Sequence, residues 1–111
     1  MAFSEILAER VRDALTGVLR VTEKRMFGGL CFMVNQKMCV AVGEDRIMVR
    51  VDPAAHAKLV AEKGASPMVM RGREMKGYIR VSETVLKTKR DLDRWVSPAL
   101  AFNAHAKKSK K

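Results

Sequence analysis

The chain has 111 residues, of which 48% are hydrophobic and 31% are charged, and its formal net charge is +10. This length allows one domain with a single core, and the composition is typical of a globular chain rather than a disordered or membrane-spanning one. We therefore predict one domain over residues 1–104, followed by a basic tail over 105–111 without regular structure. The N-terminus lacks the pattern of a signal peptide, which predicts a cytoplasmic location.

The basic residues are concentrated in the second part of the chain. Residues 1–66 hold ten basic and eight acidic side chains, whereas residues 67–111 hold twelve and four. Such asymmetry favours contact with a polyanion such as nucleic acid, and a solvated basic surface is the alternative. The candidate phosphate-contacting residues are Arg71, Arg73, Lys76, Arg80, Lys87, Lys89, Arg90 and Arg94.

The first predicted elements are a helix and four antiparallel strands. Apolar residues recur at three-and-four spacing over 4–19, and Ser4 can cap this helix. The period then changes to two, with polar turns at Asn35-Gln36 and Glu44-Asp45 that suit tight hairpins. The predicted strands cover 22–27, 30–35, 38–43 and 46–51.

The alternation along these strands predicts two apolar sheet faces. Two-residue turns would place Met33 opposite Met38 and Cys31 opposite Val40, on a core face. The second face is too apolar for water, so either a later element covers it or it binds a partner, a second copy of the chain included. The candidate partner-binding residues on it are Leu30, Phe32, Val34, Met48 and Arg50.

The remaining elements complete an α+β domain. A second helix is predicted between the cap Asp52 and Gly64, with His56 on its surface. Two strands follow at 68–71 and 77–81, joined by residues 72–76. A last helix begins at the capping box of Thr88 and Asp91, and Pro98 should kink or restart it. The predicted fold is therefore a two-layer domain with an antiparallel sheet of five or six strands and helices at the N-terminus, middle and C-terminus.

Catalytic and metal-binding patterns are weak in this sequence. Cys31 and Cys39, with His56 and His105, do not have the spacing of a zinc site, and we predict no metal and no cofactor. An enzyme would require Cys39 or His56 to meet a base in a pocket. We predict a non-enzymatic protein.

Three segments resemble the N-terminal domain of TfoX/Sxy-type proteins. They are the run RMFGGLCFMVN at 25–35, REMKGY at 73–78 and the closing segment 92–102 with its Trp-Val pair. The resemblance extends over about residues 4–103 and implies a two-layer α+β domain with an antiparallel sheet. It also implies a bacterial regulatory role, because full-length relatives are co-activators of transcription in natural competence. They act beside a DNA-binding activator and carry a further C-terminal helical domain. The expected partner is thus a protein of transcription regulation, with direct nucleic-acid binding as the rival hypothesis.

Overall fold

The computed structural model describes residues 3–26 and 28–105 and shows a six-stranded antiparallel sheet with helices packed on one face. Residue 27 and residues 106–111, which form most of the predicted tail, lie outside the described residues. The predicted α+β fold is confirmed. The helices are α1 (Glu5–Ala14), α2 (His56–Val60) and α3 (Lys89–Asn103). The strands are β1 (Val21–Met26), β2 (Gly29–Val34), β3 (Lys37–Val42), β4 (Arg46–Arg50), β5 (Ala65–Met70) and β6 (Arg73–Ser82), in the spatial order β1-β2-β3-β4-β6-β5.

Helix α1 is shorter than predicted. Its cap is confirmed, because the Ser4 hydroxyl accepts a hydrogen bond of 3.1 Å from the backbone N–H of Leu7. The helix ends at Ala14, and Gly17 then adopts a φ of 89°. A left-handed residue cannot continue the helix, so the apolar residues at 18 and 19 belong to the connection to β1 rather than to α1.

The two predicted hairpin turns are confirmed. Asn35 and Gln36 have φ values of 52° and 66°, the left-handed conformation of a two-residue turn whose twist matches its flanking strands. At the next turn, the N–H of Gly43 donates a 2.8 Å hydrogen bond to the carbonyl of Arg46. Both hairpins therefore form where the polar residue pairs occur.

A β-bulge changes the predicted register between β2 and β3. Met33 lies opposite Met38 as expected, but Phe32 lies opposite Val40, which leaves Cys39 as an additional residue on β3. Such a residue shifts every position beyond it by one along the partner strand. The predicted opposition of Cys31 to Val40 is consequently wrong.

The main core lies between the sheet and the helices. One face of the sheet packs there against the apolar stripes of α1 and α3, including Val11 and Trp95. Deeply buried members from both layers include Leu7, Phe32, Val40, Val42, Ile47, Val49, Ile79, Val81, Leu86 and Leu92. In this core, α1 near the start of the chain and α3 near its end pack against each other and against the sheet.

The opposite face of the sheet carries a second cluster, which we call the methionine cluster. All of its described members come from strands, so no described helix residue belongs to it. The long methionine side chains pack against one another across the twisted sheet. Because methionine is flexible, it can fill the irregular gaps of such a surface. The members are Cys31, Met33, Met38, Ala41, Met48 and Met68, with Met26, Met75 and Tyr78 packed against them.

The predicted partner-binding residues do not share one exposed face. Leu30, Phe32 and Val34 lie in the main core beneath the helices, and Phe32 is fully buried. Met48 lies in the methionine cluster with 7% of its surface exposed, and the half-buried Arg50 stacks on two aromatic rings. The shared face was predicted from strict alternation, which the bulge breaks. The sequence left open whether another element covers this face or a partner binds to it. For the three β2 residues, other elements of the chain provide the cover.

Two later predictions also need correction. The connection between β5 and β6 consists of Arg71 and Gly72 alone, and residues 73–76 belong to β6. Helix α3 begins at the predicted capping box and runs without interruption through Pro98, so of the two alternatives predicted at the proline, a kink or a restart, the restart is wrong. None of the helices formed by the described residues has the length and apolarity needed to cross a bilayer.

Candidate functional site

The eight predicted phosphate-contacting residues occupy three separate places. Arg80 lies on the sheet face that carries the methionine cluster, directly opposite Met48 on β4. The other residues are divided between the β5–β6 hairpin and the N-terminal half of α3, which packs on the other side of the sheet. The hairpin holds Arg71, Arg73 and Lys76, and the α3 region holds Lys87, Lys89, Arg90 and Arg94. The structure therefore offers two basic patches rather than one.

The far end of the β5–β6 hairpin extends beyond the rest of the sheet. The pairing of β6 with β4 ends where Tyr78 lies opposite Arg50, whereas β6 itself begins five residues earlier. Residues 69–76, which we call the hairpin end, thus have only the hairpin itself as a sheet partner. Arg71 and Gly72 form its turn with φ values of 53° and 76°.

The hairpin end combines exposed apolar and basic side chains. Val69 is 52% exposed and Met70 is 40% exposed, two of the four large hydrophobic residues that stand out on the described surface. Arg71, Arg73 and Lys76 are exposed beside them and form no ion pair with any residue that the structure describes. An apolar strip between unpaired cations is suited to binding a surface that is apolar and acidic.

A buried histidine anchors the base of the hairpin end. His56 was predicted on the surface, but only 4% of it is exposed. Its Nδ1 accepts a 2.9 Å hydrogen bond from the N–H of Gly77, and its Nε2 lies 2.5 Å from a carboxylate oxygen of Glu74. The first bond requires an unprotonated Nδ1, so Nε2 carries the proton that Glu74 accepts. The surface prediction was wrong because Glu74 is 18 residues away, beyond any local spacing.

Gly77 is required at this junction for two reasons. Its φ is 88°, and a Cβ atom there would come within 2.9 Å of the carbonyl oxygen of Val51. Its own carbonyl accepts a 2.7 Å hydrogen bond from the N–H of Val51, just beyond β4. The glycine thus lets β6 continue past the end of β4 while staying bonded to it.

The second basic patch lies around the N-terminus of α3. The side chain of Thr88 accepts from the N–H of Asp91 at 3.1 Å, and the Asp91 carboxylate accepts from the N–H of Thr88 at 3.2 Å. Arg10 of α1 donates a 3.2 Å hydrogen bond to the Thr88 carbonyl, which adds a cation absent from the predicted set. Arg94 is paired with Glu62 at 2.5 Å, which reduces its contribution to the patch.

The chain can be compared with known protein families, curated proteins and solved structures. A family model described as the TfoX N-terminal domain matches residues 13–103, most of the chain. The chain belongs to the TfoX N-terminal domain family. No curated protein and no solved structure matches it significantly.

The cysteines of this TfoX-type domain are packed rather than activated. Burial raises the pKa of the Cys31 thiol to about 11 and that of the Cys39 thiol to about 12. A nucleophilic cysteine requires a shift in the opposite direction. The two thiols lie in different clusters on opposite faces of the sheet, and the described residues hold no group of three His, Cys, Asp or Glu side chains that could bind a metal.

Two residues of this candidate surface were missed by sequence reasoning. Val69 and Met70 precede a turn in a strand that alternates poorly, so they were not separated from the core residues of β5. The available signal was their position just before Gly72, because glycine is typical of tight turns and residues beside a turn at a sheet edge are often exposed.

Proposed function

We propose that this TfoX-type domain is a non-enzymatic regulatory module that binds a protein of transcription regulation through its hairpin end. The observation that carries the proposal is the exposure of Val69 and Met70 between unpaired cations on a hairpin that extends beyond the sheet. Membership of the TfoX N-terminal domain family supports a regulatory role.

The backbone of β5 adds a second means of binding. This strand pairs only with β6, so its other edge presents peptide groups that a further strand could use. Pro67 removes one of the donors, which restricts such pairing to the part of β5 nearest the turn. A partner that adds an extended, acidic and partly apolar segment there would bury Val69 and reach Arg71 and Arg73.

Site-specific cross-linking in cells tests this proposal. A photo-reactive residue replaces Val69 in one variant and Leu19, a more accessible apolar residue that is 81% exposed, in the control. We expect one protein of transcription regulation to be cross-linked from position 69 and not from position 19. Loss of that product after Met70→Ser and Arg73→Ser would locate the contact at the hairpin end. Identical products from both positions, or none from position 69, would reject the proposal.

Sequence-tolerant nucleic-acid binding is the second candidate function. Its support is the presence of unpaired cations on the hairpin end and around the N-terminus of α3. Phosphate contacts of this kind are lost steeply as salt concentration rises.

Fluorescence-anisotropy titration of a duplex DNA measures this second candidate. Several phosphate contacts on the folded domain would weaken binding by roughly 10³ between about 50 and 200 mM salt. We expect Arg73→Glu and Lys89→Glu to weaken binding equally for all sequences and to reduce the salt dependence, whereas Lys58→Glu on α2 should do neither. Binding that disappears when residues 107–111 are removed would exclude the folded domain as the binding site.

A further inference from the structure

A cleft opens on the sheet face that carries the methionine cluster. It has a volume of about 410 Å³ and lies beside the β1–β2 turn at Gly28 and the β3–β4 turn at Asp45. Its apolar wall is formed by Ala41, Met48 and Met68. This volume falls at the lower end of the range of about 300–1,000 Å³ that is typical of small-molecule sites.

One cation in this cleft has no partner. Arg80 is half-buried, and its side chain forms no hydrogen bond or ion pair with any other residue in the described ranges. The carboxylates of Glu44 and Asp45 also line the cleft, but neither forms an ion pair with Arg80, and Asp45 is 3.8 Å from Arg46 instead. A guanidinium that is partly removed from water without a counter-ion is unfavourable, and an oxyanion would satisfy it through two parallel hydrogen bonds.

Arg80 also lies where two neighbouring clefts meet, so it can contact a ligand that extends from one into the other. It lines the main cleft and a smaller adjoining one of about 180 Å³, which is bordered by Ser66 and Ser82. In the sheet it lies between Met48 on β4 and Ser66 on β5. Its charge is therefore flanked by an apolar surface on one side and by a polar one on the other.

We propose that this cleft binds a small apolar molecule that carries one carboxylate or phosphate group. The oxyanion would be held by Arg80, and the apolar body would lie against Met48, Met68 and Ala41. Methionine side chains suit such a surface because they can adjust to ligands of different shape. This inference is independent of the hairpin end and of any protein partner.

Binding of short amphiphiles to the full chain tests the proposal. The probes are octanoate, octyl phosphate and octanol, which share one apolar body and differ in the head group. Calorimetric titration up to about 1 mM should show that at least one anion binds about tenfold more tightly than octanol. The preferred anion then identifies the ligand as a carboxylate or a phosphate.

Substitution of the cation gives the decisive comparison. Arg80→Met keeps an apolar stem and should abolish the preference for the anion, and Arg80→Lys should retain part of it because it keeps the charge. Arg73→Met, a loss of one cation at the hairpin end, should leave the preference unchanged. Equal binding of octanol and both anions, an unchanged preference in Arg80→Met, or no binding of any probe would overturn the proposal.

Methionine methyl resonances report where the probe binds. In a protein labelled with ¹³C at its methionine methyl groups, octanoate or octyl phosphate should shift the signals of Met48 and Met68. The signal of Met70, which is exposed on the hairpin end, should remain in place. Shifts confined to Met70 would place the ligand outside the cleft and refute the assignment.

Discussion

Gly29, the first residue of β2, lies against the backbone of β3. A Cβ atom at this position would overlap the carbonyl oxygen of Val42, and neither backbone can move without breaking the pairing of the strands. At Gly43, a Cβ atom would meet its nearest neighbour, the carbonyl oxygen of Arg46, at 3.5 Å, an ordinary contact distance.

These two glycines give a matched pair of substitutions. We expect Gly29→Ala to lower the free energy of unfolding by about 2 kcal/mol or more, and Gly43→Ala to change it by less than about 0.5 kcal/mol. Urea denaturation monitored by the fluorescence of Trp95 measures both. Equal effects of the two variants would show that the close approach at Gly29 is relieved by local adjustment.

His56 is the second residue whose environment predicts a large effect. Its removal would leave the N–H of Gly77 without an acceptor in a buried position. Because an unsatisfied buried donor costs about 1–3 kcal/mol, His56→Ala should lower the free energy of unfolding by that amount. His105→Ala, at an exposed position, is the control and should have no measurable effect. A neutral result at His56 would mean that water replaces the imidazole.

The buried thiols make a prediction about pH. The pKa values of about 11 for Cys31 and about 12 for Cys39 exceed the ordinary value of 9.0. Folding thus favours the protonated thiols, and their contribution to stability is complete below pH 9 and is lost as the pH rises towards 11–12.

Thiol labelling measures this protection directly. At pH 9, Ellman's reagent should react far more slowly with the native protein than with the protein in urea, where both thiols are exposed. Rapid labelling of one thiol in the native state would contradict its burial in the sheet.

The sequence was least informative about the partners and surroundings of single side chains. The cap Ser4 could be recognised because the backbone N–H that donates to its hydroxyl, that of Leu7, lies within the first turn of the helix. The partners of His56, in contrast, are 18 and 21 residues away, on a strand whose path depends on the whole sheet. The cavity that Arg80 lines is likewise formed by elements far from it in the chain, so no local pattern predicts it.

Helix α3 shows how the local preference of one residue competes with the packing of the whole helix. Helix α3 continues through Pro98 although proline removes one backbone hydrogen bond and crowds the preceding turn. Its apolar stripe of Leu92, Trp95, Val96 and Ala99 is buried in the main core on both sides of that position. Burial of this stripe outweighs the local cost of proline, so the helix does not restart.

Replacement of the proline should therefore stabilise the domain. Pro98→Ala restores an N–H that can donate to the carbonyl of Arg94, and we expect the free energy of unfolding to rise by about 1–3 kcal/mol. Ser97→Ala, in the same turn and exposed, is the control and should change it by less than about 0.5 kcal/mol. A decrease in Pro98→Ala would show that the proline ring contributes more through packing than it costs the helix.

The first four strands were predicted within about one residue, whereas β5 and β6 begin three and four residues before their predicted starts, and the faces of the strands were predicted wrongly. Periodicity and turn residues such as Asn35-Gln36 are local signals, so they located the hairpins. The bulge at Cys39 has no such signal, and one additional residue transfers Leu30 and Phe32 from the predicted second face of the sheet to the main core.

The distribution of charge is a property of the whole molecule. The chain carries a formal charge of +10, and the arginines paired with carboxylates in the described part include Arg12, Arg46 and Arg94. Repulsion among the remaining cations opposes the compact state and is screened by salt.

Stability should therefore increase with ionic strength. Between roughly 0.02 and 0.2 M NaCl, we expect Tm to rise by about 4 °C or more, which corresponds to on the order of 1 kcal/mol for a domain of this size. Arg71→Glu combined with Lys76→Glu lowers the net charge by four without altering buried residues, and should reduce the rise. A Tm that is independent of salt in both proteins would mean that the cations are too far apart to interact.

The sequence by itself determined the α+β class, the order of helices and strands, the N-terminal caps of α1 and α3 and the turns of the first hairpins. These features depend on contacts within a few residues, where periodicity and backbone preference act directly. Only the tertiary structure decided which sheet face meets the helices, that the predicted basic residues form separate patches, and that the hairpin end and the cleft at Arg80 exist. Those features arise from residues that are distant in the chain, and their position depends on the register of every strand between them.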